Sequence, residues 1–131
     1  MDQRLTKPER LSGKKSLDRL FSEGKSFFIA PFRIVVLQDK EETDRPTVRM
    51  ALSVPRKVFK RAVKRNLIKR RIREAYRRNK TILVEPLREK GVRLDLIFIY
   101  TRPEILPYRD IEEKIILSLR KILEDHEKGT H

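Results

Sequence analysis

Hydrophobic and polar positions along this 131-residue chain repeat with periods that change from helical to extended and back. Apolar side chains within Ser12–Ser22 fall on one side of a short helix, and Gly24 lies just past its end. The segment 27–38 is rich in aromatic and β-branched residues and predicts a strand, long enough to bend at Pro31 and count as two. Positions 48–54 then alternate between apolar and other residues, which predicts a half-buried strand.

The second half of the chain predicts longer helices around one apolar strand. Placed at about 100° per residue, Ala62–Arg78 gathers an apolar stripe on one side. This stripe consists of Ile68, Ile72, Ala75 and Tyr76. Positions 81–90 extend that helix or form a short one of their own, interrupted by Pro86. Val92–Tyr100 predicts a strand covered on both faces, and Asp110–Glu124 predicts an amphipathic helix.

These elements predict one domain. A chain of this length has room for a single hydrophobic core, and the sequence shows no internal repeat and no long linker. Helices and strands mixed in this order are typical of α+β proteins in which helices pack on one sheet. We therefore expect a single-domain α/β sandwich over 1–131, ordered over about 8–125, with about four strands and three helices in the order α-β-β-(β)-α-β-α.

The charge of the chain is concentrated in one segment. Thirty-three Lys and Arg against 19 Asp and Glu give a net charge of +14. Thirteen of the bases lie within Arg56–Lys80, where Glu74 is the only acid. A charge of one sign at this density is typical of binding to a polyanion, most often nucleic acid. A merely solvated helix face would mix the two signs in i,i+4 pairs, so we favour polyanion binding.

The sequence offers little support for catalysis by the protein itself. Without cysteine, neither a disulfide framework nor a thiolate metal site is possible. The two histidines, His126 and His131, stand in a polar C-terminal segment that we expect to be a solvated tail. Asp95 and Glu74 are too sparse for a two-metal site, so no catalytic residue and no direct metal ligand is predicted. The apolar runs are too short for a bilayer and no signal peptide opens the chain, which favours a cytoplasmic protein.

The polar side of the basic helix is the predicted contact surface. It presents Asn66, Lys69, Arg70, Arg73 and Arg77. Structured or single-stranded RNA fits this helix better than the DNA major groove, since neither a helix-turn-helix pairing nor a heptad seam accompanies it. Four aromatic residues that precede the helix are candidates to line an RNA surface, although each is more commonly a core residue: Phe21, Phe27, Phe28 and Phe32. Binding to a membrane surface is weakened because the core needs the apolar stripe.

The basic helix resembles the signature helix of the protein subunit of bacterial ribonuclease P. The resemblance rests on the run Ala62-Val63-x-Arg65-Asn66-x-x-Lys69-Arg70-x-x-Arg73-Glu74, after a strand that ends in Ser53-Val54. The segment around Leu17 and Phe21 is similar to the family's first helix, and 95–102 is similar to its last strand, so the resemblance covers about 8–125. In the turn before the helix, where the family usually has a glycine, this chain has Phe59-Lys60-Arg61.

The resemblance implies both a fold and a function. Members of the family have a left-handed βαβ crossover through the basic helix. They bind a catalytic RNA subunit and assist that RNA in removing the 5′ leader from precursor tRNA, with a lowered requirement for Mg²⁺. The RNA and its Mg²⁺ then carry the chemistry, and the protein is a component of an endoribonuclease. No membrane and no obligate protein partner is implied.

The resemblance also assigns residues. Contacts to the RNA subunit fall on Lys60, Arg61, Arg65, Asn66, Lys69, Arg70, Arg73 and Arg77. The single-stranded leader falls in a cleft at Leu17, Phe21, Val35 and Ser53. Asn66 approaches a metal ion only through RNA phosphates. The main alternative is a structural role as a ribosomal protein or assembly factor, which predicts binding to ribosomal RNA without any effect on leader removal.

Overall fold

The computed structural model of the protein describes residues 5–39 and 45–128. A short 3-10 helix at Lys7–Glu9 precedes the main elements. These are α1 (Lys14–Glu23), β1 (Lys25–Ile29), β2 (Phe32–Asp39), β3 (Val48–Ser53), α2 (Ala62–Asn79), α3 (Thr81–Glu89), β4 (Arg93–Tyr100) and α4 (Tyr108–Glu127). The α+β class is confirmed, with one α-helix more than predicted, because α3 is a separate helix.

The four strands form one mixed sheet in the order β1-β2-β4-β3. The segment predicted as one long or two shorter strands forms two, the antiparallel hairpin of β1 and β2 around Ala30-Pro31. β2 also pairs antiparallel with β4, whereas β3 and β4 are parallel. Parallel neighbours need a long connection, and α2 with α3 supplies it as a βαβ crossover. The hand of this crossover stays a prediction.

One face of the sheet carries the main core under α2, α3 and α4. The predicted stripe of α2 is confirmed, since Ile68, Ile72, Ala75 and Tyr76 are all fully buried. Aromatic side chains of the sheet lie beneath this stripe, and the rings of Phe32 and Phe98 meet edge to face with centroids 5.6 Å apart. β4 is covered on both faces, as its largely apolar sequence predicts.

The other face of the sheet is covered by α1 and by the segment before it, which contributes Leu11. Leu20 of α1 packs with Leu11, Val35 and Ile97 in a smaller second cluster. The end of α1 approaches the sheet so closely that a Cβ at Gly24 would lie 2.8 Å from Cγ1 of Val35 and 2.5 Å from the Leu20 carbonyl oxygen. A single helix cannot cover four strands, so open sheet surface remains beside α1.

Two expectations for the C-terminal half are wrong. Pro86 does not interrupt the segment 81–90 but lies inside α3, where its ring removes only one backbone donor from a short helix. His126 belongs to the last turn of α4 and is half-buried, not part of a solvated tail. The helix continues past it because Ile122 and Leu123 still pack against the core. His131 lies outside the described residues.

Candidate RNA interface

The turn before α2 is held by an apolar side chain and an arginine. Phe59 is buried with its ring 6.2 Å from that of Tyr100, and its amide donates to the Pro55 carbonyl at 3.3 Å. The Arg65 guanidinium donates from Nη1 to the carbonyl oxygens of Phe59 and Lys60, both at 2.7 Å. Phe59 and Arg65 thus hold this turn in place.

The first turn of α2 is electropositive. Arg61 occupies the N-cap position without a side-chain capping hydrogen bond, and the first turn contains no acid. The amide groups at a helix N-terminus carry a partial positive charge and lack intrahelical partners. The Lys60 and Arg61 side chains are exposed beside these amides, so the backbone and the side chains attract anions to the same place.

Beyond its first turn, α2 presents a face of unpaired polar side chains. Within the described residues, Lys69, Arg70 and Arg73 make no hydrogen bond or ion pair, and Arg70 and Arg73 are exposed. Asn66 is exposed on the same side. From Asn66 to Arg73 this face runs about 10 Å at 1.5 Å per residue. Arginine forks there are available for bidentate contacts to phosphate.

Arg77 extends the predicted face but is not unpaired. Its Nε and Nη2 donate to the two carboxylate oxygens of Glu74, both at 2.8 Å. The hydrogen bonds from Arg77 hold the pKa of Glu74 below its ordinary value although the carboxylate is exposed. Glu74 is thus a local ion-pair partner of Arg77. The Glu74 carboxylate partly neutralises the Arg77 guanidinium, so Arg77 attracts an external phosphate less strongly than an unpaired arginine would.

Three further bases of the 56–80 segment contact other elements of the protein. Arg71 donates to the Leu106 carbonyl at 2.6 Å, and Arg78 lies 3.7 Å from a carboxylate oxygen of Glu112. Lys80 is buried and forms an ion pair with Glu9 at 2.8 Å. The number of bases in this segment is therefore larger than the number available to bind RNA. Helical periodicity alone did not distinguish these three bases from the unpaired ones.

A groove of about 560 Å³ runs beside α1 on the open face of the sheet. Leu17 and Phe21 line it from α1, Ser53 lines it from β3, and Lys69 and Arg73 line it from α2. The structure thus brings three of the four predicted cleft residues together with two of the predicted RNA-contacting bases. Phe21 is 46% exposed, which leaves its ring available for stacking.

The fourth predicted cleft residue lies beneath the groove. Val35 is 1% exposed and packs into the second cluster under α1, so its side chain supports the floor. Of the other candidate aromatics, Phe32 is core and Phe27 is half-buried, whereas Phe28 is 68% exposed.

Sequence reasoning missed the N-terminal wall of the groove. Residues Leu5 and Arg10 to Gly13 line it, and the Leu11 amide donates to the Met50 carbonyl at 2.9 Å. This segment crosses the edge of β3 without helical or extended periodicity. The only sequence signal was Leu11, an isolated apolar residue that proves to be buried.

The acids of the sheet are bound to arginines. Asp95 is buried in β4, and Arg49 donates to both of its oxygens at 2.9 and 2.8 Å. Arg45 lies 3.0 Å from the same carboxylate and 2.7 Å from Asp39. Across 5–39 and 45–128, no group of three or more His, Asp or Glu side chains is placed to hold a metal ion. No helix in these two ranges is both long and apolar enough to cross a membrane.

The chain is similar in sequence to ribonuclease P proteins. A family model described as Ribonuclease P matches residues 5–123. A ribonuclease P protein component from Porphyromonas gingivalis is 37% identical over 118 residues, which is 90% of this chain and 85% of the relative. One from Petrotoga mobilis is 35% identical over 126 residues, which is 92% of this chain and 96% of the relative.

Solved structures share the fold. The RNase P protein of Staphylococcus aureus superposes with a TM-score of 0.69 at 24% identity, covering 88% of this chain and 94% of that one. The RNase P protein of Thermotoga maritima superposes with a TM-score of 0.68 at 25% identity, covering 86% and 96%. The family match spans nearly the whole chain, groove and basic helix included. The chain belongs to the ribonuclease P family, as a protein component of that enzyme.

Proposed function

We propose that this protein binds the catalytic RNA subunit of ribonuclease P through α2 and the 5′ leader of precursor tRNA through the groove beside α1. The observation that carries the proposal is the position of Lys69 and Arg73. These unpaired bases belong to the polar face of α2 and also line the groove that contains Phe21. Two RNA-binding surfaces therefore meet at a shared edge.

The face of α2 suits a folded RNA with closely spaced phosphates. The RNA-subunit surface comprises Lys60, Arg61, Arg65, Asn66, Lys69, Arg70, Arg73 and Arg77. Arg65 combines this role with its contacts to the turn, since only its Nη1 donates to the carbonyls. Arg77 joins the surface by exchanging its contact with Glu74 for a phosphate.

The groove suits a single strand. Leu17 and Phe21 provide an apolar wall on which an unstacked base can lie, and Ser53 provides a hydroxyl at the end of β3. Val35 supports the floor from below. Lys69 and Arg73 on the opposite side neutralise the phosphates of the same strand, which orients its sugar-phosphate backbone toward α2.

Chemistry in this proposal belongs to the RNA subunit and its Mg²⁺. The carboxylates of the protein are consistent with this assignment, because Asp95 and Glu74 form ion pairs with arginines and are not free to bind a metal ion. Asn66 is a neutral, exposed amide that reaches Mg²⁺ only through RNA phosphates. By neutralising phosphates where the two RNAs approach each other, α2 lowers the Mg²⁺ concentration that folding and cleavage require. We place this assembly in the cytoplasm.

The direct test is cleavage of a precursor tRNA by a transcribed cognate RNA subunit at low Mg²⁺, with and without the protein. We expect strong stimulation with the correct 5′ end. If about five phosphates are engaged, log affinity for the RNA falls against log salt with a slope of roughly −3.5 to −4.5. Changing Arg70 and Arg73 to Ala lowers this slope and raises the Mg²⁺ requirement. Tight binding to ribosomal RNA without stimulation of cleavage would contradict the proposal.

A further inference from the structure

A row of side chains continues the groove across the sheet to its opposite edge. The strand registers align Ser53 with Ile99, Ile99 with Arg33, and Arg33 with Phe28. Paired residues of neighbouring strands point to the same face, and this row shares the α1 face with Val35. With about 4.8 Å between strands, the row spans roughly 14 Å from β3 to β1.

The two residues at the far end of this row are not required by the core. The side chains beside Phe28 in sequence, Phe27 and Ile29, pack against the main core, whereas Phe28 itself is 68% exposed. Arg33 is half-buried and makes no hydrogen bond or ion pair within the described residues. The sheet thus presents an aromatic ring and an unpaired guanidinium on directly paired positions.

We propose that Phe28 and Arg33 form an outer subsite for single-stranded RNA. A base of the leader stacks on the Phe28 ring, and a neighbouring phosphate binds the Arg33 guanidinium. This inference rests on the proposed function, since the same strand reaches the subsite from the groove past Ser53 and Ile99. Longer leaders therefore bind more tightly than leaders that fill the groove alone.

Charge and continuity favour RNA as the occupant. The groove at one end of the row already contains the unpaired bases Lys69 and Arg73, and the chain carries a net charge of +14. An aromatic face beside a guanidinium is the combination with which proteins bind single strands without reading their sequence. A partner protein would need a matching acidic and apolar surface, whereas any leader offers phosphates and bases at every nucleotide.

The test measures the affinity of the holoenzyme for precursor tRNAs whose leaders lengthen one nucleotide at a time. For the wild type we expect two successive gains in affinity, the first from the groove and the second from the outer subsite. Changing Phe28 to Ala and Arg33 to Gln removes the second gain, about 5- to 10-fold, and leaves the first. Changing Phe21 to Ala reduces the first.

The control changes Leu117 to Ala and Arg120 to Gln, an exposed apolar residue and an exposed arginine on α4. It should keep both gains. Equal unfolding midpoints for the two double variants verify that the comparison reports on binding.

Several outcomes would overturn the outer subsite. A wild-type series with a single gain, or a second gain that survives in the Phe28 and Arg33 variant, removes it while the proposed function stands. Dimerisation of the wild type that the same variant abolishes would assign the patch to a second copy of the chain. No stimulation of cleavage at any leader length would instead overturn the proposed function itself.

Discussion

The Arg65 guanidinium uses one nitrogen to bind two backbone carbonyls of the turn before α2. Arg70, in the same signature run, makes no hydrogen bond or ion pair with the described residues. Arg65 therefore stabilises the fold through the turn, whereas Arg70 does not. Hydrogen bonds between a charged donor and buried or half-buried carbonyls contribute more to stability than exposed charges do.

Replacing Arg65 by Ala is expected to lower the free energy of unfolding by about 1–2 kcal/mol, because the part-buried Phe59 carbonyl loses a charged donor, whereas water can replace the exposed contact to the Lys60 carbonyl. Replacing Arg70 by Ala should leave stability within about 0.5 kcal/mol of the wild type. Both variants should bind the RNA subunit less tightly. Urea unfolding and RNA titrations on the same preparations measure the two effects, and an Arg65 variant as stable as the Arg70 variant would contradict the role in the turn.

At the scale of the element, α2 has three sides with different partners. Ile68, Ile72, Ala75 and Tyr76 face the sheet. Arg71 and Arg78 contact the Leu106 loop and α4. The remaining side faces solvent and the groove, and Glu74 is the one acid on the helix. An isolated helix with so many like charges would be unstable. Burial of the apolar side stabilises α2, and the positive charges of the solvent-exposed side remain available to bind an anion.

Replacing Glu74 by Gln should strengthen RNA binding. The change removes the only negative charge of α2 and leaves Arg77 at most one of its two hydrogen bonds without the ion pair, so its guanidinium is more available to phosphate. We expect affinity at low salt to rise about two- to fivefold and the salt slope to become steeper by up to roughly one. Stability should change little, because the pair is exposed.

Salt-dependent titration of the RNA subunit with the wild type and the Glu74 variant is the measurement. Changing Glu85, which pairs with Arg88 in the same i,i+3 spacing on α3, to Gln provides the control. Equal gains from the two variants would mean that net charge alone, not the release of Arg77, sets the affinity.

At the scale of the whole molecule, one ion pair joins the N-terminal segment to the end of α2. Glu9 belongs to the N-terminal segment that walls the groove, and Lys80 lies at the junction of α2 and α3. Burial alone would raise the pKa of Glu9. Hydrogen bonds from Lys80 and from Thr6 outweigh this effect and hold the pKa below its ordinary value of 4.5.

A carboxylate whose pKa is lowered by folding stabilises the protein above its ordinary pKa, and this contribution is lost as the pH falls through the folded value. Replacing Glu9 by Gln should therefore cost about 1–3 kcal/mol at neutral pH, because the buried ion pair between Lys80 and Glu9 is lost. The difference from the wild type should shrink toward pH values of about 3. Urea unfolding across this range tests it, and a difference that does not depend on pH would contradict the assignment.

The sequence by itself determined the elements whose pattern is local. The apolar stripe of α2 and the strands around 48–54 and 92–100 follow from periodicity, because a helix or strand must bury one side whatever it packs against. The signature run also identified the family and the polar face of α2. Gly24 marked the end of α1, which the structure explains by its contact with the sheet.

Only the tertiary structure decided which charges are free and what the groove is made of. Lys80, Arg71 and Arg65 look like Arg70 in sequence, yet their partners are distant segments or carbonyls that no pattern of side chains records. The N-terminal wall and the row from Ser53 to Phe28 likewise depend on strand order and register. These are set by contacts between residues far apart in the chain, which local periodicity does not encode.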